Sequence, residues 1–196
     1  VMAFVKENEI DVIVNCAAYT AVDKAEDNQE LCAKLNSEAV GYLAKAAEEN
    51  QAEFIQISTD YVFDGTNYVP YRETEPTCPN SVYGVTKLAG EKKALEYCSK
   101  AMIIRTAWLY SVFGNNFVKT MIRLGKERES LGVIFDQIGT PTYARDLASA
   151  VFAAIRKGII PGIYHFSNEG VCSWYDFTKS IHRIAGICLL YTSPSP

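Results

Sequence analysis

The sequence predicts an α/β protein with a Rossmann-like, doubly wound parallel sheet. Short runs rich in β-branched residues, such as residues 10–16, are typical of buried parallel strands. They alternate with longer segments in which apolar residues recur at three- and four-residue spacing, the pattern of amphipathic helices. This alternation indicates parallel pairing, and such sheets bind ligands at the carboxyl ends of their strands.

The predicted strands and helices follow one another from the N-terminus onward. The predicted strands are residues 10–16, 53–58, a part of 101–110, 132–136 and 162–167. The predicted helices are residues 2–8, 23–50, 81–98, a segment capped by Asn115, 144–157 and a segment that begins near Ser173. In the second of these helices, Leu35, Ala39 and Leu43 mark the buried face. Ser173 and Asp176 fit a capping box at the start of the last helix.

Composition and charge exclude several classes of protein. With 48% hydrophobic and 21% charged residues, the chain resembles an ordinary globular domain with one sizeable core. Its net charge of −4 is unfavourable for nucleic acid, and the longest near-apolar stretch, residues 147–155, is too short to cross a membrane. The six cysteines form no Cys-x-x-Cys pair, and several lie in apolar runs. We therefore expect buried thiols, no metal site, no disulfide framework and a cytoplasmic location.

Tyr83 and Lys87 are the first candidates for catalysis. They lie four residues apart on a predicted helix, so both side chains project from one face. A nearby ammonium favours the phenolate, and we expect it to lower the pKa of Tyr83 towards the range useful for acid-base catalysis. A second copy of this spacing, Tyr175 and Lys179, has Val151 at the upstream position where a polar residue would be needed, so we assign it to an ordinary helix surface.

Thr59 completes the candidate site. It follows the predicted strand 53–58 directly and lies 24 residues before Tyr83. A hydroxyl at a strand end can hold a substrate carbonyl beside a tyrosine. Thr59, Tyr83 and Lys87 are therefore the groups needed to polarise a ketone while a nicotinamide cofactor reduces it.

This arrangement resembles the extended short-chain dehydrogenase/reductase family, and within it the branch that reduces dTDP-4-dehydrorhamnose. The resemblance extends over nearly all of residues 11–187. The matching segments are VNCAAYTAVDKAE at 14–26, STDYVFDG at 58–65, YGVTKLAGE at 83–91, RTAWLY at 105–110, DQIGTPT at 136–142 and GIYHFSN at 162–168. Several extended motifs in one order are far more specific than a single short pattern.

The resemblance implies an activity and a role for each site residue. The enzyme would reduce the C4 ketone of a dTDP-linked 4-dehydro-6-deoxy sugar with NADPH or NADH, giving dTDP-L-rhamnose for surface polysaccharide. Tyr83 would donate the proton, Lys87 would tune Tyr83 and hold the nicotinamide ribose, and Thr59 would bind the reacting oxygen. The residues that would line the cofactor, with Tyr83 and Lys87, are Ala17, Ala18, Tyr19 and Thr20. The residues that would contact the sugar nucleotide, with Thr59, are Asp60, Tyr61 and Trp108.

The chain also departs from the family pattern at both ends. None of its glycines forms the Gly-x-Gly-x-x-Gly turn that receives a pyrophosphate, so we expect a fragment without the N-terminal strands. The expected organisation is a partial NAD(P)-binding domain over residues 1–130, a partial substrate-binding lobe over 131–187, interleaved with the sheet, and a non-native or disordered tail over 188–196.

Alternative functions stay open at this point. Within the same superfamily the chain could be a sugar-nucleotide epimerase or dehydratase. It could also be a non-catalytic binding module, like the reductase-like regulatory subunit of methionine adenosyltransferase, because a fold does not determine a function. The resemblance further implies a possible homodimer in the full-length protein.

Overall fold

The computed structural model of this protein describes residues 1–188 and 190–192. The chain divides into two compact units. The first contains residues 1–106 and 150–166, and the second contains residues 107–149 and those from 167 onward. The strand 162–165 pairs with the strand 101–106 and joins the first unit.

The first unit is built on a four-stranded parallel sheet in the order β1-β2-β3-β8. Its strands are β1 (Val12–Asn15), β2 (Glu53–Thr59), β3 (Ala101–Thr106) and β8 (Gly162–His165). Its helices are α1 (Met2–Glu7), α2 (Val22–Ala25), α3 (Gln29–Ala33), a π-helical segment (Lys34–Glu38), α4 (Ala39–Glu49), a 3₁₀ turn (Asp60–Val62) and α5 (Val82–Tyr97). The predicted α/β class and parallel sheet are confirmed.

Apolar residues of β2, β3, α4 and α5 form the core of this unit. The fully buried members include Val40, Ala44, Phe54, Ala94 and Ile103. β2 and β3 are buried along almost their whole length, as strands covered on both faces must be. Burial of this sheet fixes the carboxyl ends of β2 and β3 beside the N-terminal half of α5.

The predicted helix over residues 23–50 is interrupted. It is divided after α2 and contains the π-helical segment Lys34–Glu38, which shifts the buried face by one position. As a result Leu35, expected in the core, is 41% exposed, while Asn36 is buried. A Cβ atom on Gly90 of α5 would lie 2.1 Å from the Asn36 carbonyl oxygen, so the two backbones pack in direct contact here.

The second unit contains short strands and helices. Its strands are β4 (Leu109–Tyr110), β5 (Ser130–Gly132), β6 (Ile138–Gly139), β7 (Thr142–Tyr143), β9 (Cys172–Ser173) and β10 (Leu190–Thr192). Its helices are α6 (Phe117–Glu127), α8 (Trp174–Ile184) and the first part of α7 (Ala144–Lys157), whose last part belongs to the first unit. Met121 of α6 and Ile181 of α8 are buried together with Leu131 and Val133 in the core of this unit.

Two local predictions in this unit are confirmed only in part. The expected strand 132–136 is displaced, since the strand covers Ser130–Gly132. The side chain that caps α6 belongs to Asn116, which accepts from Lys119 N at 3.2 Å, and not to Asn115. The capping box of Ser173 and Asp176 is confirmed at the start of α8.

The expected tail over 188–196 can be compared with the structure at a few positions. Residues 190–192 form β10, which pairs in parallel with β5. Residues 189 and 193–196 lie outside the described residues. No helix in the described part of the chain is long and apolar enough to span a membrane.

The cysteines differ from the expectation of buried thiols. Cys32 and Cys98 are buried, but Cys16, Cys78 and Cys188 are exposed. Cys16 is exposed because it lies just beyond the end of β1, the edge strand of the sheet. None of the six cysteines forms a disulfide among the residues the structure describes.

Candidate active site

Thr59, Tyr83 and Lys87 lie together at the carboxyl end of the parallel sheet. Thr59 is the last residue of β2, and the other two project from the first turns of α5. Their exposed fractions are 5%, 9% and 5%, so all three are buried. The hydroxyl of Thr59 hydrogen bonds with the Tyr83 phenol. Because Ser81 caps α5 through the Gly84 N–H, the helix begins just before Tyr83 and directs the phenol at the strand end.

The 3₁₀ turn after Thr59 carries Asp60 and Tyr61. The Thr59 hydroxyl donates to Asp60 Oδ1 at 3.0 Å and accepts from Tyr61 N at 3.2 Å. The ring of Tyr61 meets the ring of Tyr83 edge-on, with centroids 5.4 Å apart. Burial raises the pKa of the Asp60 carboxyl above its ordinary value. These two side chains therefore border the phenol, as the expected substrate contacts would require.

The pKa of Tyr83 differs from the expectation. Burial raises it from 10.0 to about 12, and the hydrogen bond with Thr59 opposes this shift only in part. The expected lowering by Lys87 is therefore wrong, because burial has the largest effect and the nearby Asp60 carboxyl raises the pKa further. A phenol with a raised pKa stays protonated at neutral pH, which suits a proton donor.

Lys87 is a buried ammonium that has unused donors among the residues the structure describes. Its Nζ donates one hydrogen bond, 2.7 Å long, to the Ile57 carbonyl oxygen. An ammonium has three N–H groups, so two remain for hydroxyl groups of a bound molecule. Burial lowers the pKa of Lys87 from 10.5 to about 8, so the group is still mainly charged at pH 7. These donors fit the hydroxyls of a nucleotide ribose.

The loop after β1 contains Ala17, Ala18, Tyr19 and Thr20. Ala17 and Thr20 are exposed, and Ala18 and Tyr19 are half-buried. Asn36 fixes the loop from both sides, because its Oδ1 accepts from Tyr19 N at 2.8 Å and its Nδ2 donates to Tyr19 O at 3.1 Å. The small side chains of Ala17 and Ala18 in this fixed loop leave backbone accessible to a flat ligand such as a dinucleotide.

Trp108 belongs to the second unit. Its indole stacks on that of Trp174, with centroids 3.5 Å apart and the planes 12° from parallel. Its backbone has a φ of 48°, a left-handed conformation that is unusual for a bulky residue. Strained residues of this kind concentrate at functional sites, where the surroundings hold them in place. The role of Trp108 in binding substrate stays a prediction.

Sequence reasoning missed three buried polar residues next to this site. Asn36 holds the loop after β1, and Glu91 and Arg105 form an ion pair at 2.7 Å beneath the strand ends. Glu91 lies inside the segment 83–91 that carried the resemblance, but nothing in the sequence showed that its carboxylate is buried. An asparagine within the expected apolar face of residues 35–47 was the available signal for Asn36.

The described residues contain no group of three or more His, Cys, Asp or Glu side chains placed to hold a metal ion. The candidate site consists of a strand-end hydroxyl, a phenol and an ammonium at the carboxyl end of a parallel sheet. Fold and site together define a protein of the short-chain dehydrogenase/reductase class.

Comparison with known proteins identifies the family. A model of the RmlD substrate binding domain matches residues 1–192, and the chain belongs to this family. It is 50% identical over 186 residues to the dTDP-4-dehydrorhamnose reductase of Escherichia coli K12, covering 91% of this chain and 62% of that protein. It is 42% identical to the spore coat polysaccharide biosynthesis protein SpsK of Bacillus subtilis, covering 90% of this chain and 62% of that protein.

Solved structures agree with this assignment. The dTDP-4-dehydrorhamnose reductase of Clostridium acetobutylicum superposes with a TM-score of 0.95 at 47% identity, covering 98% of this chain and 68% of that one. The dTDP-4-dehydrorhamnose reductase of Bacillus anthracis, solved in complex with NADP, superposes with a TM-score of 0.93 at 43% identity, covering 98% of this chain and 69% of that one. The chain spans between 62% and 64% of the length of the first three curated relatives.

Proposed function

We propose that the protein carrying this chain reduces the C4 ketone of dTDP-4-dehydrorhamnose to dTDP-L-rhamnose. The observation that carries the proposal is the buried group of Thr59, Tyr83 and Lys87, in which a protonated phenol meets a strand-end hydroxyl beside an ammonium. Relatives that match over more than nine-tenths of the chain carry the name of this reductase. The product would be used in surface polysaccharide synthesis.

Each of these three residues has a distinct role in the proposed reaction. The Thr59 hydroxyl hydrogen bonds to the ketone oxygen and orients it towards Tyr83. The Tyr83 phenol gives its proton to that oxygen as the ketone carbon is reduced, which completes the alcohol. The Lys87 ammonium stabilises the phenolate that remains, because an opposite charge nearby favours the ionised form.

The cofactor in this proposal is NADPH or NADH, which when bound supplies the hydride for the ketone carbon. The spare donors of Lys87 support binding of the nicotinamide ribose, and the loop of Ala17, Ala18, Tyr19 and Thr20 supports close approach of the dinucleotide. A related reductase from Bacillus anthracis has been solved with NADP.

The substrate contacts are also part of the proposal. Asp60 and Tyr61 would bind the sugar, because both border the Tyr83 phenol on the turn after Thr59. Trp108 would contact the sugar nucleotide through its indole. Residues 1–130 would contribute mainly to cofactor binding and residues 131–187 mainly to substrate binding.

We further infer a small-molecule partner and a cytoplasmic location. The six cysteines form no Cys-x-x-Cys pair and several lie in apolar runs, which supports a reducing compartment. A net charge of −4 does not favour nucleic acid as a partner. A homodimer of the full-length protein belongs to the same proposal.

Oxidation of the cofactor in the full-length protein tests the reductase function. NADPH and NADH are each mixed with dTDP-4-dehydrorhamnose, and the absorbance at the nicotinamide band is followed. We expect turnover in the unmodified protein and a loss of about 100-fold or more in Tyr83→Phe. Tyr175→Phe is the matched control, because Tyr175 and Lys179 repeat the spacing on α8, and it should keep full activity. Bound cofactor without oxidation would instead support an epimerase or a regulatory subunit.

A further inference from the structure

The carboxylate of Glu91 lies in the interior of the first unit, where it joins three elements. Its exposed fraction is 1%. It accepts two hydrogen bonds from Arg105 Nε, at 3.0 and 3.2 Å, and one from Arg105 Nη2 at 2.7 Å. It also accepts a hydrogen bond from Ser58 Oγ. The Glu91 carboxylate on α5 thus connects β2 and β3 at one position along the sheet, because Ser58 of β2 and Arg105 of β3 are register partners.

The position of Glu91 relates it to the reacting groups. Tyr83, Lys87 and Glu91 are spaced by four residues on α5, so they share one face of the helix. Ser58 directly precedes Thr59 at the end of β2. The Glu91 carboxylate therefore fixes, through one set of hydrogen bonds, both the helix that carries the phenol and the strand that carries the hydroxyl.

Glu91 also influences the charge of Lys87. The charged and titratable groups that act on Lys87 are Glu91 on the same helix, Cys16 after β1 and Cys32 on α3. Burial lowers the pKa of Lys87, and the largest opposing effect is the negative charge of Glu91, which raises it. Without Glu91 a larger fraction of Lys87 would be neutral at pH 7.

We propose that Glu91 is a positioning residue for the reaction, fixing α5 on β2 and β3 and keeping Lys87 charged. This inference rests on the proposed function, because it assigns Glu91 to the same site. A buried ion pair by itself contributes little net stability, since desolvation of both charges opposes their attraction. The placement of this pair beneath the strand ends and one turn from Lys87 points to a role in the geometry and charge of the site.

Glu91→Gln in the full-length protein tests the charge directly. Glutamine keeps an oxygen that can accept from Ser58, but it removes the negative charge. Two properties are measured: the pKa of Lys87, by NMR of its Nζ against pH, and the pH profile of cofactor oxidation. We expect the Lys87 pKa to fall by about one unit, and the alkaline limb of the profile to move to lower pH by the same amount. Glu96→Gln, an exposed position on the same helix, should move neither.

Two further variants separate positioning from folding. Glu91→Gln leaves the Arg105 guanidinium buried without its partner, so it can fail to fold. The double variant Glu91→Gln/Arg105→Met removes both charges, and we expect it to fold and to keep the lowered Lys87 pKa. Glu91→Asp keeps the charge on a shorter side chain, and it should leave the Lys87 pKa near its original value while lowering kcat.

The outcomes are distinct. The proposal is overturned if, in both Gln variants, the Lys87 pKa and the alkaline limb of the pH profile of cofactor oxidation stay unchanged. Glu91 would then be a purely structural partner of Arg105. Absence of cofactor oxidation in the unmodified protein would instead contradict the reductase function. The NMR measurement on Lys87 does not depend on turnover, so it decides the role of Glu91 in either case.

Discussion

Gly84 lies directly against the backbone of Tyr61. A Cβ atom at position 84 would be 2.2 Å from the Tyr61 carbonyl oxygen, a distance that real Cβ atoms do not reach. Gly84 follows Tyr83 on α5, and Tyr61 lies in the turn after Thr59. The absence of a side chain at position 84 therefore lets the helix approach the turn closely enough for the phenol of Tyr83 to meet the hydroxyl of Thr59.

Gly84→Ala should destabilise the protein although alanine is the better helix former. In an ordinary helix this change stabilises by up to about 1 kcal/mol. Here α5 must shift away from the turn, and we expect a loss of about 1 to 3 kcal/mol in the free energy of unfolding together with slower cofactor oxidation. Urea denaturation and the oxidation assay measure the two effects.

Gly41→Ala is the control for this prediction. Its Cβ would lie 3.2 Å from Cδ of the Lys93 side chain and 3.3 Å from the Tyr97 ring, so alanine fits after a small movement of these two side chains. We expect no loss of stability or activity. If Gly84→Ala and Gly41→Ala changed stability and cofactor oxidation equally, the contact between α5 and the turn would not determine the site geometry.

Asn36→Ala should weaken cofactor binding through the loop after β1. The asparagine satisfies both the N–H and the carbonyl of Tyr19, and its removal leaves two half-buried backbone groups without this partner. We expect a loss of about 1 to 3 kcal/mol in stability and about a tenfold rise in the Kd for NADPH, measured by fluorescence titration.

A second asparagine gives a matched comparison. Asn50 donates from its side chain to Ala46 O at the end of α4, at 2.8 Å. Asn50→Ala should therefore lower stability without changing the Kd for NADPH. If both variants bind NADPH as tightly as the unmodified protein, the loop 17–20 does not line the cofactor.

Much of the fold could be predicted from the sequence because its signals are local. The apolar run of β2 and the alternation of strands with helices led to the parallel sheet. Ser173 and Asp176 defined the start of α8 through a capping box that depends on residues three positions apart. The spacing of Tyr83 and Lys87 placed both on one helix face, which the structure bears out.

Features that depend on distant contacts could not be predicted. In the π-helical segment Asn36 is buried and Leu35 is exposed. The backbone of Asn36 also contacts Gly90, which is 54 residues further along the chain. The pKa of Tyr83 was expected to fall, but its rise follows from burial, which spacing cannot reveal. For the same reason the ion pair of Glu91 and Arg105 emerged only from the structure.

Lys87→Met should change how stability depends on pH. The pKa of Lys87 is about 8 in the folded protein and 10.5 when exposed, so between these values the unfolded chain binds the proton and the folded protein does not. The free energy of unfolding therefore rises with pH between pH 8 and 10.5, by about 3 kcal/mol in total, and this contribution is lost as the pH falls towards 8.

Methionine removes this dependence. We expect Lys87→Met to be more stable than the unmodified protein at pH 7 and to lose the rise in stability between pH 8 and 9.5, measured by urea denaturation at several pH values. The raised pKa of Tyr83 lowers stability only above about pH 10, so it does not interfere in this range. Lys6→Met, at an exposed position, should leave the profile unchanged; a similar change in both variants would contradict the assignment to Lys87.

Gly139→Ala should test the role of Trp108 without removing the indole. A Cβ atom at position 139 would lie 2.6 Å from the Trp108 ring, so alanine must displace the indole from its stack on Trp174. If Trp108 contacts the sugar nucleotide, this shift raises the KM for dTDP-4-dehydrorhamnose by about tenfold and leaves the Kd for NADPH unchanged. Near-ultraviolet circular dichroism reports whether the stacked indoles have moved. Val171→Ala, at an exposed position of the same unit, should change neither signal nor KM. A changed spectrum with an unaltered KM would remove Trp108 from the substrate site and leave it as part of the aromatic core.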